Sequence, residues 1–240
     1  MRQPLQSLTV GLRHQKLSTI DVLVGSEETR FTITELLIIK KVKMFKTALQ
    51  NPMSEGRTRI IKIPERSPKD FDSFLHHLYH GQFDRDDLYG KTNDEKCMFY
   101  ARMYVLADYV DCSEVAKAAE SSVETLIAYR QKEENDEKGC PGYYFPSPEV
   151  VKYIYDNTLR GVHIRRLLVA QRLWMVEWKE NGSQQAAEEQ DESLEVYHPV
   201  FLSELAGYTI RKFRSGGKNN PFYSHQWGVE YLGLRSHSRK

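Results

Sequence analysis

Asp21-Val22-Leu23-Val24-Gly25-Ser26-Glu27-Glu28-Thr29-Arg30-Phe31-Thr32-Ile33 is the stretch whose reading decides the fold. Two runs rich in β-branched residues flank a polar turn that opens on glycine, so the pattern predicts a β-hairpin with Phe31 facing inward. Immediately downstream, Leu36, Leu37, Val42, Phe45 and Leu49 recur at helical intervals, with Lys40, Lys41, Lys43 and Lys46 between them. That spacing predicts an amphipathic helix with one apolar and one solvated face. Asn51-Pro52 closes the helical region, and Ile60-Ile61-Lys62-Ile63, ending at Pro64, fits a short buried strand.

Further out, Ser67-Pro68-Lys69-Asp70 carries the signals of a helix start: an oxygen for an orphan amide, a proline at the first helical position and an acid near the positive helix end. Phe71, Phe74, Leu75, Leu78 and Tyr79 mark the buried face of that helix, and Gly81 is placed to end it. Phe99, Met103, Leu106 and Val110 repeat the helical spacing after a polar loop, with Ala101 and Ala107 allowing close approach. Another helix near residues 113–129 supplies Val115, Ala119 and Leu126.

These pieces, in this order, resemble the BTB/POZ domain, and its fungal members in particular. An amphipathic opening with Leu5, Leu8 and Leu12 leads to the Asp21-Val22-Leu23-Val24 strand. The family's Phe-x-Val-His-Lys-x-x-Leu run is similar to the run from Phe31 through Ile33, Thr34 and Glu35 to Ile38. Its Ser-Pro-x-x-Phe helix start resembles Ser67-Pro68-Lys69-Asp70-Phe71, and its Leu-x-x-x-Tyr-x-Gly ending resembles Leu75, Tyr79 and Gly81. Leu106-Ala107-Asp108-Tyr109 is similar to its Leu-Ala-Asp-x-Tyr helix.

The resemblance implies an α+β BTB/POZ fold, a small mixed sheet flanked by a helical cluster, with an α-helical C-terminal extension. It also implies protein partners, with a homodimer formed through the N-terminal leucine stripe as one form of association. Thr34 stands where the family usually has His, and Val42 where it usually has Ser. The triplet through which relatives grip a cullin scaffold aligns with Phe99-Tyr100-Ala101 and lacks its acid. Leu5, Leu8, Leu12, Thr34, Val42, Phe99 and Tyr100 are therefore the candidate partner or dimer surface.

Composition excludes several alternatives. The chain has 240 residues with 34 Lys and Arg against 33 Asp and Glu, so a net charge of +1 gives no global drive toward nucleic acid or membrane. Cys97, Cys112 and Cys140 form no Cys-x-x-Cys pair, which argues against a zinc ribbon or a disulfide framework. No apolar run approaches signal-peptide or membrane-spanning length, so an intracellular chain, cytoplasmic or nuclear, is expected.

Residues 130–142 lose apolar periodicity. The expected organisation is a BTB/POZ domain over 1–130, a linker over 131–146, a helical extension over 147–213 and a tail over 214–240. Ser147-Pro148 starts a helix bearing Val151, Ile154 and Tyr155; Ile164, Leu167, Leu168, Met175 and Trp178 mark a second, and Phe201, Leu205 and Tyr208 a third. An acidic, Gln- and Ala-rich stretch over 179–195 reads as a flexible loop.

His76, His77 and His80 cluster in sequence, with His76 and His80 one helical turn apart, but no third ligand is indicated, so a solvated face for all three is the expectation rather than a metal site. No Gly-x-Ser-x-Gly elbow, phosphate loop or cysteine nucleophile signature appears; a non-enzymatic chain with no cofactor is expected. Arg165-Arg166, Arg211-Lys212-Phe213-Arg214 and the basic residues of 235–240 admit a nucleic-acid-associated regulator as an alternative, beside that of a cullin ubiquitin ligase substrate adaptor.

Overall fold

A computed structural model describes residues 18–50, 54–128, 130–131, 142–181 and 196–214. The chain divides into two compact units, Met1–Pro68 and Lys69–Lys240. The boundary expected near residue 130 falls inside the second of them.

In the first unit, β1 (Thr19–Val24) and β2 (Thr29–Thr34) form the antiparallel hairpin, with Ile20 opposite Ile33 and Val22 opposite Phe31. The strand β3 (Ile60–Ile63) adds in parallel to the other edge of β1, giving a mixed sheet of order β2-β1-β3. Strand alternation sends Ile20, Val22, Val24, Ile33, Ile61 and Ile63 into the core, with Phe31 half-buried on the face of Ile33. Lys62, pointing the other way, pairs with Glu28 at 2.6 Å. Gly25 turns the hairpin at φ +78°, a conformation that favours glycine, and a Cβ there would crowd Pro68 Cγ at 3.1 Å.

The single helix expected after the hairpin is broken at Val42 into α1 (Glu35–Lys41) and α2 (Lys43–Gln50). Val42 is extended, at φ −119° and ψ 108°. The buried stripe is Ile38, Val42, Phe45 and Leu49, spaced four, three and four residues apart. Setting the stripe on Ile38 puts Leu36 about 200° round the helix. Leu36, expected on the buried face, is accordingly 66% exposed. After the short α3 (Ser54–Thr58), Arg59 takes a left-handed φ of 59°, and its carbonyl accepts from the Asp21 N–H at 3.0 Å, setting the register of β3 on β1.

The second unit is helical: α4 (Pro68–His80), α5 (Asn93–Tyr109), α6 (Ser113–Ala128), α7 (Pro148–Asn157), α8 (His163–Asn181) and α9 (Pro199–Arg214). Helix α4 begins at the Ser67-Pro68 signal and stops where Gly81, at φ +74°, donates its N–H to the His77 carbonyl at 2.8 Å. At the head of α5, Thr92 accepts from the Glu95 N–H while the Glu95 side chain accepts from the Thr92 N–H, a reciprocal capping box. Helix α5 is the hub, packing on both α6 and α7 and burying Cys97, Phe99, Ala101, Met103, Tyr104, Val105, Leu106 and Ala107. Helix α8 packs on α6, α7 and α9.

The segment expected to be a linker holds backbone pairing: β4 (Arg130–Gln131) and β5 (Gly142–Tyr143) form a short antiparallel ladder. Just beyond it, Asp94 on α5 accepts from the Tyr144 hydroxyl at 2.6 Å and from the Ser147 N–H at 3.1 Å. Residues 144–147 are thereby pinned to the start of α5. Helix α8 runs through Asn181, two residues past the expected start of the acidic loop; the rest of that loop, and residues 215–240, lie outside the described residues.

Candidate partner-binding surface

Leu5, Leu8 and Leu12 lie outside the described residues. Thr34 and Val42 fall in the first unit, Phe99 and Tyr100 in the second. Val42 is fully buried and Phe99 is 3% exposed, so both serve the core rather than a surface. Val42 is buried because it completes the stripe of Ile38, Phe45 and Leu49. Phe99 is buried because Phe83, from the loop after α4, stands edge-on to it at 5.7 Å.

Tyr100 is half-buried against the same Phe83 ring at 5.5 Å, and burial pushes its hydroxyl pKa up even though Ser122 hydrogen-bonds it. Ala101, the position of the missing cullin-type acid, is fully buried and could not present a carboxylate to a partner without a shift of α5.

Thr34, half-buried, is the N-cap of α1 and leads into a fixed constellation. The Glu35 N–H donates to the Ser18 carbonyl at 2.9 Å, and the Ser18 hydroxyl donates to Glu35 Oε2 at 2.6 Å. Arg59 Nη2 lies 2.9 Å from each Glu35 oxygen. A carboxylate held this way is neutralised inside the unit and anchors the first turn of α1. The next residue is Leu36, pointing to solvent, with Lys40 exposed one turn further on. Sequence periodicity missed this surface because residues 36–39 are all apolar and three of them had to be inward or flanking.

Other expected features resolve differently. His77 is not on a solvated face: it is 3% exposed and packs against Phe83 at 4.5 Å between ring centroids. His76 and His80 do neighbour each other, at 4.4 Å between centroids, with Asp84 Oδ2 3.7 Å from His76 Nδ1. Among the described residues no three His, Cys, Asp or Glu side chains are placed to hold a metal.

Of the basic clusters, Arg165 is buried, donating to the Tyr155 and Thr158 carbonyls and to Thr158 Oγ1, and stacking 4.4 Å above the Tyr155 ring. Arg211 folds back on its own helix, donating to the Gly207 carbonyl at 3.1 Å and stacking on Tyr208 at 4.3 Å. Arg166 and Arg214 are exposed, and residues 235–240 lie outside the described residues. No helix among the described residues is long and apolar enough to cross a membrane.

Residues 11–120 match the sequence profile of the BTB/POZ domain. The fold is accordingly α+β of BTB type, with the three-stranded mixed sheet and helical cluster described above. Domains of this kind are generally non-enzymatic modules of protein–protein association, dimerisation included. No curated protein matches the chain.

Proposed function

We propose that this chain is a non-enzymatic interaction module that associates with protein partners, including a second copy of itself, through its BTB/POZ surface. The observation that carries the reading is Leu36, 66% exposed beside Thr34 on a helix start locked by Ser18, Glu35 and Arg59. A large aliphatic residue on a rigid base is a good contact for a partner, because little conformational entropy remains to be lost on binding. The N-terminal stripe of Leu5, Leu8 and Leu12 supplies the apolar surface for self-association. The helical part extends the module and offers further exposed apolar residues, Leu159 and Ile210.

The narrower roles receive less support. Buried Ala101 leaves no acid for a cullin contact, and Arg165 spends its guanidinium group inside the second unit rather than on phosphate.

Sedimentation of the full chain at tens of micromolar tests the self-association. A dimer that dissociates when Leu5, Leu8 and Leu12 are replaced by serine is the expected result. A monomer at every concentration overturns homo-association. The hetero-association is then judged by whether partners recovered with the wild-type chain are lost with Leu36→Ser.

A further inference from the structure

Of the chain's 14 tyrosines, only Tyr89 has an acid both two and three residues before it, Asp87 and Asp86. It is also 90% exposed, the most open large hydrophobic side chain among the described residues. Tyr79 and Tyr109, the other two exposed tyrosines there, belong to α4 and α5 and are only 50% and 44% exposed. Tyr89 instead stands in the loop between those helices, and its hydroxyl makes no hydrogen bond with any described residue. The base of this loop is fixed: the Ser73 hydroxyl donates to Asp87 Oδ2 at 2.6 Å, and Phe83 packs on His77. Its tip is a single turn in which the Leu88 and Tyr89 amides both donate to the Arg85 carbonyl, at 3.0 and 2.9 Å. Few bonds hold the tip, so it extends at little cost, and half-buried Leu88 comes free with it.

We propose that Tyr89 is a phosphorylation site, the acceptor for a tyrosine-accepting protein kinase whose substrate groove is basic. Over Asp86-Asp87-Leu88-Tyr89-Gly90 the order is acid, acid, aliphatic, tyrosine, glycine. The carboxylates suit basic side chains of the kinase, Leu88 suits an apolar pocket beside the acceptor, and Gly90 lets the groove close on bare backbone. In the transfer, Tyr89 Oη attacks the γ-phosphorus of a nucleoside triphosphate held by the kinase. The new O–P bond forms as the bond from that phosphorus to the bridging oxygen breaks; the nucleoside diphosphate leaves with that electron pair, and the phenol proton passes to a carboxylate of the kinase. The product carries about −1.5 to −2 charges at neutral pH. Asp86 and Asp87 repel it from the turn, and the Lys91 ammonium lies against the Phe99 ring, 5.5 Å from its centroid. The phosphate therefore stays in solvent, where an arginine cluster on a partner can bind it. The site lies in the second unit and does not depend on how the first unit associates.

The test incubates the full chain with ATP, magnesium and the catalytic domain of a tyrosine kinase that phosphorylates a glutamate–tyrosine copolymer. Phosphate is counted by intact mass and placed by fragmentation. Phosphate is expected on Tyr89, entering about tenfold or more faster than on any other tyrosine of the chain, and Tyr89→Phe removes it. Asp86→Lys lowers the initial rate about fivefold or more, because it puts a like charge against the basic groove. Both positions are exposed, so unchanged thermal unfolding of the variants shows that the fold is intact.

A synthetic peptide of residues 84–91 separates the motif from its display. Phosphate on the peptide but not on the folded chain overturns the proposal, because the loop is then not presented. Phosphate on neither also overturns it, as does faster transfer to another tyrosine or a rate indifferent to Asp86→Lys. None of these outcomes touches the interaction-module reading, which stands or falls on the association of the chain with itself and with protein partners.

Discussion

Arg165 shows how far a single residue can depart from its appearance in the sequence. Next to Arg166 it looks like half of a solvated basic pair, yet it is 6% exposed and closes the end of α7. The last carbonyls of a helix have no intrahelical donor, and the helix end carries partial negative charge, so a forked cation there meets both needs. Its aromatic floor, Tyr155, is fixed in turn: the Tyr155 hydroxyl donates to Glu204 on α9 at 2.9 Å. Burial, and then that carboxylate, hold the phenol well above its ordinary pKa, so it stays a donor across the whole physiological range. Arg165→Met keeps the stem but leaves the Tyr155 and Thr158 carbonyls without their donor, and should cost about 3 kcal/mol in urea unfolding. Arg165→Lys should recover only part of this, because an ammonium cannot reproduce the fork or the stacking. A loss below about 0.5 kcal/mol for the Met variant would mean that these bonds are replaced by water at no cost.

Among the elements, those with punctuation were legible and those without it were not. Helix α4 is bracketed by Ser67-Pro68 and Gly81, and its bounds follow directly. The hairpin is similarly bracketed by its glycine turn. Residues 36–39, all apolar, fit several helical phases, and only packing on the sheet selects Ile38, which breaks the helix at Val42 and turns Leu36 outward. The ladder of β4 and β5 is two residues long on each side, too short for any alternation to register. The candidate surface was half-legible for the same reason: Thr34 came from a family position, whereas Leu36 became visible only with the phase of α1. The capping box of α5 gives a prediction at this scale. Thr92→Ala should destabilise the protein by about 1 kcal/mol at neutral pH by leaving the Glu95 amide without an acceptor. The Glu95 carboxyl is held below the usual carboxylate range, first by the Thr92 amide and then by the Thr92 hydroxyl. A depressed carboxyl pKa contributes stability above the unfolded-state value and loses it as pH falls through the folded-state value. Stability measured from about pH 6 down past about pH 4 should therefore fall more steeply in the wild type than in Glu95→Gln, where nothing is left to protonate. Parallel profiles for the two proteins would remove Glu95 from the acid transition.

At the scale of the whole chain, the question is whether residues 1–130 stand alone, as the sequence organisation suggests. Within the second unit they are short of neighbours. Helix α5 packs on α7, α6 packs on α8, Asp94 holds Tyr144 and Ser147, and the Gln171 side chain donates to the Ile127 carbonyl at 3.1 Å. His163, at the head of α8, adds a contact to Glu120 of α6 at 2.9 Å. Cutting after residue 130 removes all of these partners at once and opens apolar surface on α5 and α6. Uncovering even two side chains of leucine size loses about 3 kcal/mol or more, a large part of the stability of an ordinary domain. Cys97 reports the change directly. In the full chain it is completely buried, and burial pushes its thiol pKa up to about 12, with the Tyr144 hydroxyl as its hydrogen-bond partner pulling the other way. Cys112 is 1% exposed. With Cys140 replaced by serine, the folded full chain should therefore show no thiol that reacts rapidly with a disulfide reagent at pH 8, and two after unfolding in urea. The 1–130 fragment lacks Cys140 and Tyr144 altogether. Its Cys97 should become reactive in the absence of urea, and its unfolding midpoint should fall below that of the full chain. An unreactive Cys97 in a fragment as stable as the whole would mean that the helical extension adds nothing to the core of α5, and that the boundary read from the sequence is also the boundary of cooperative folding.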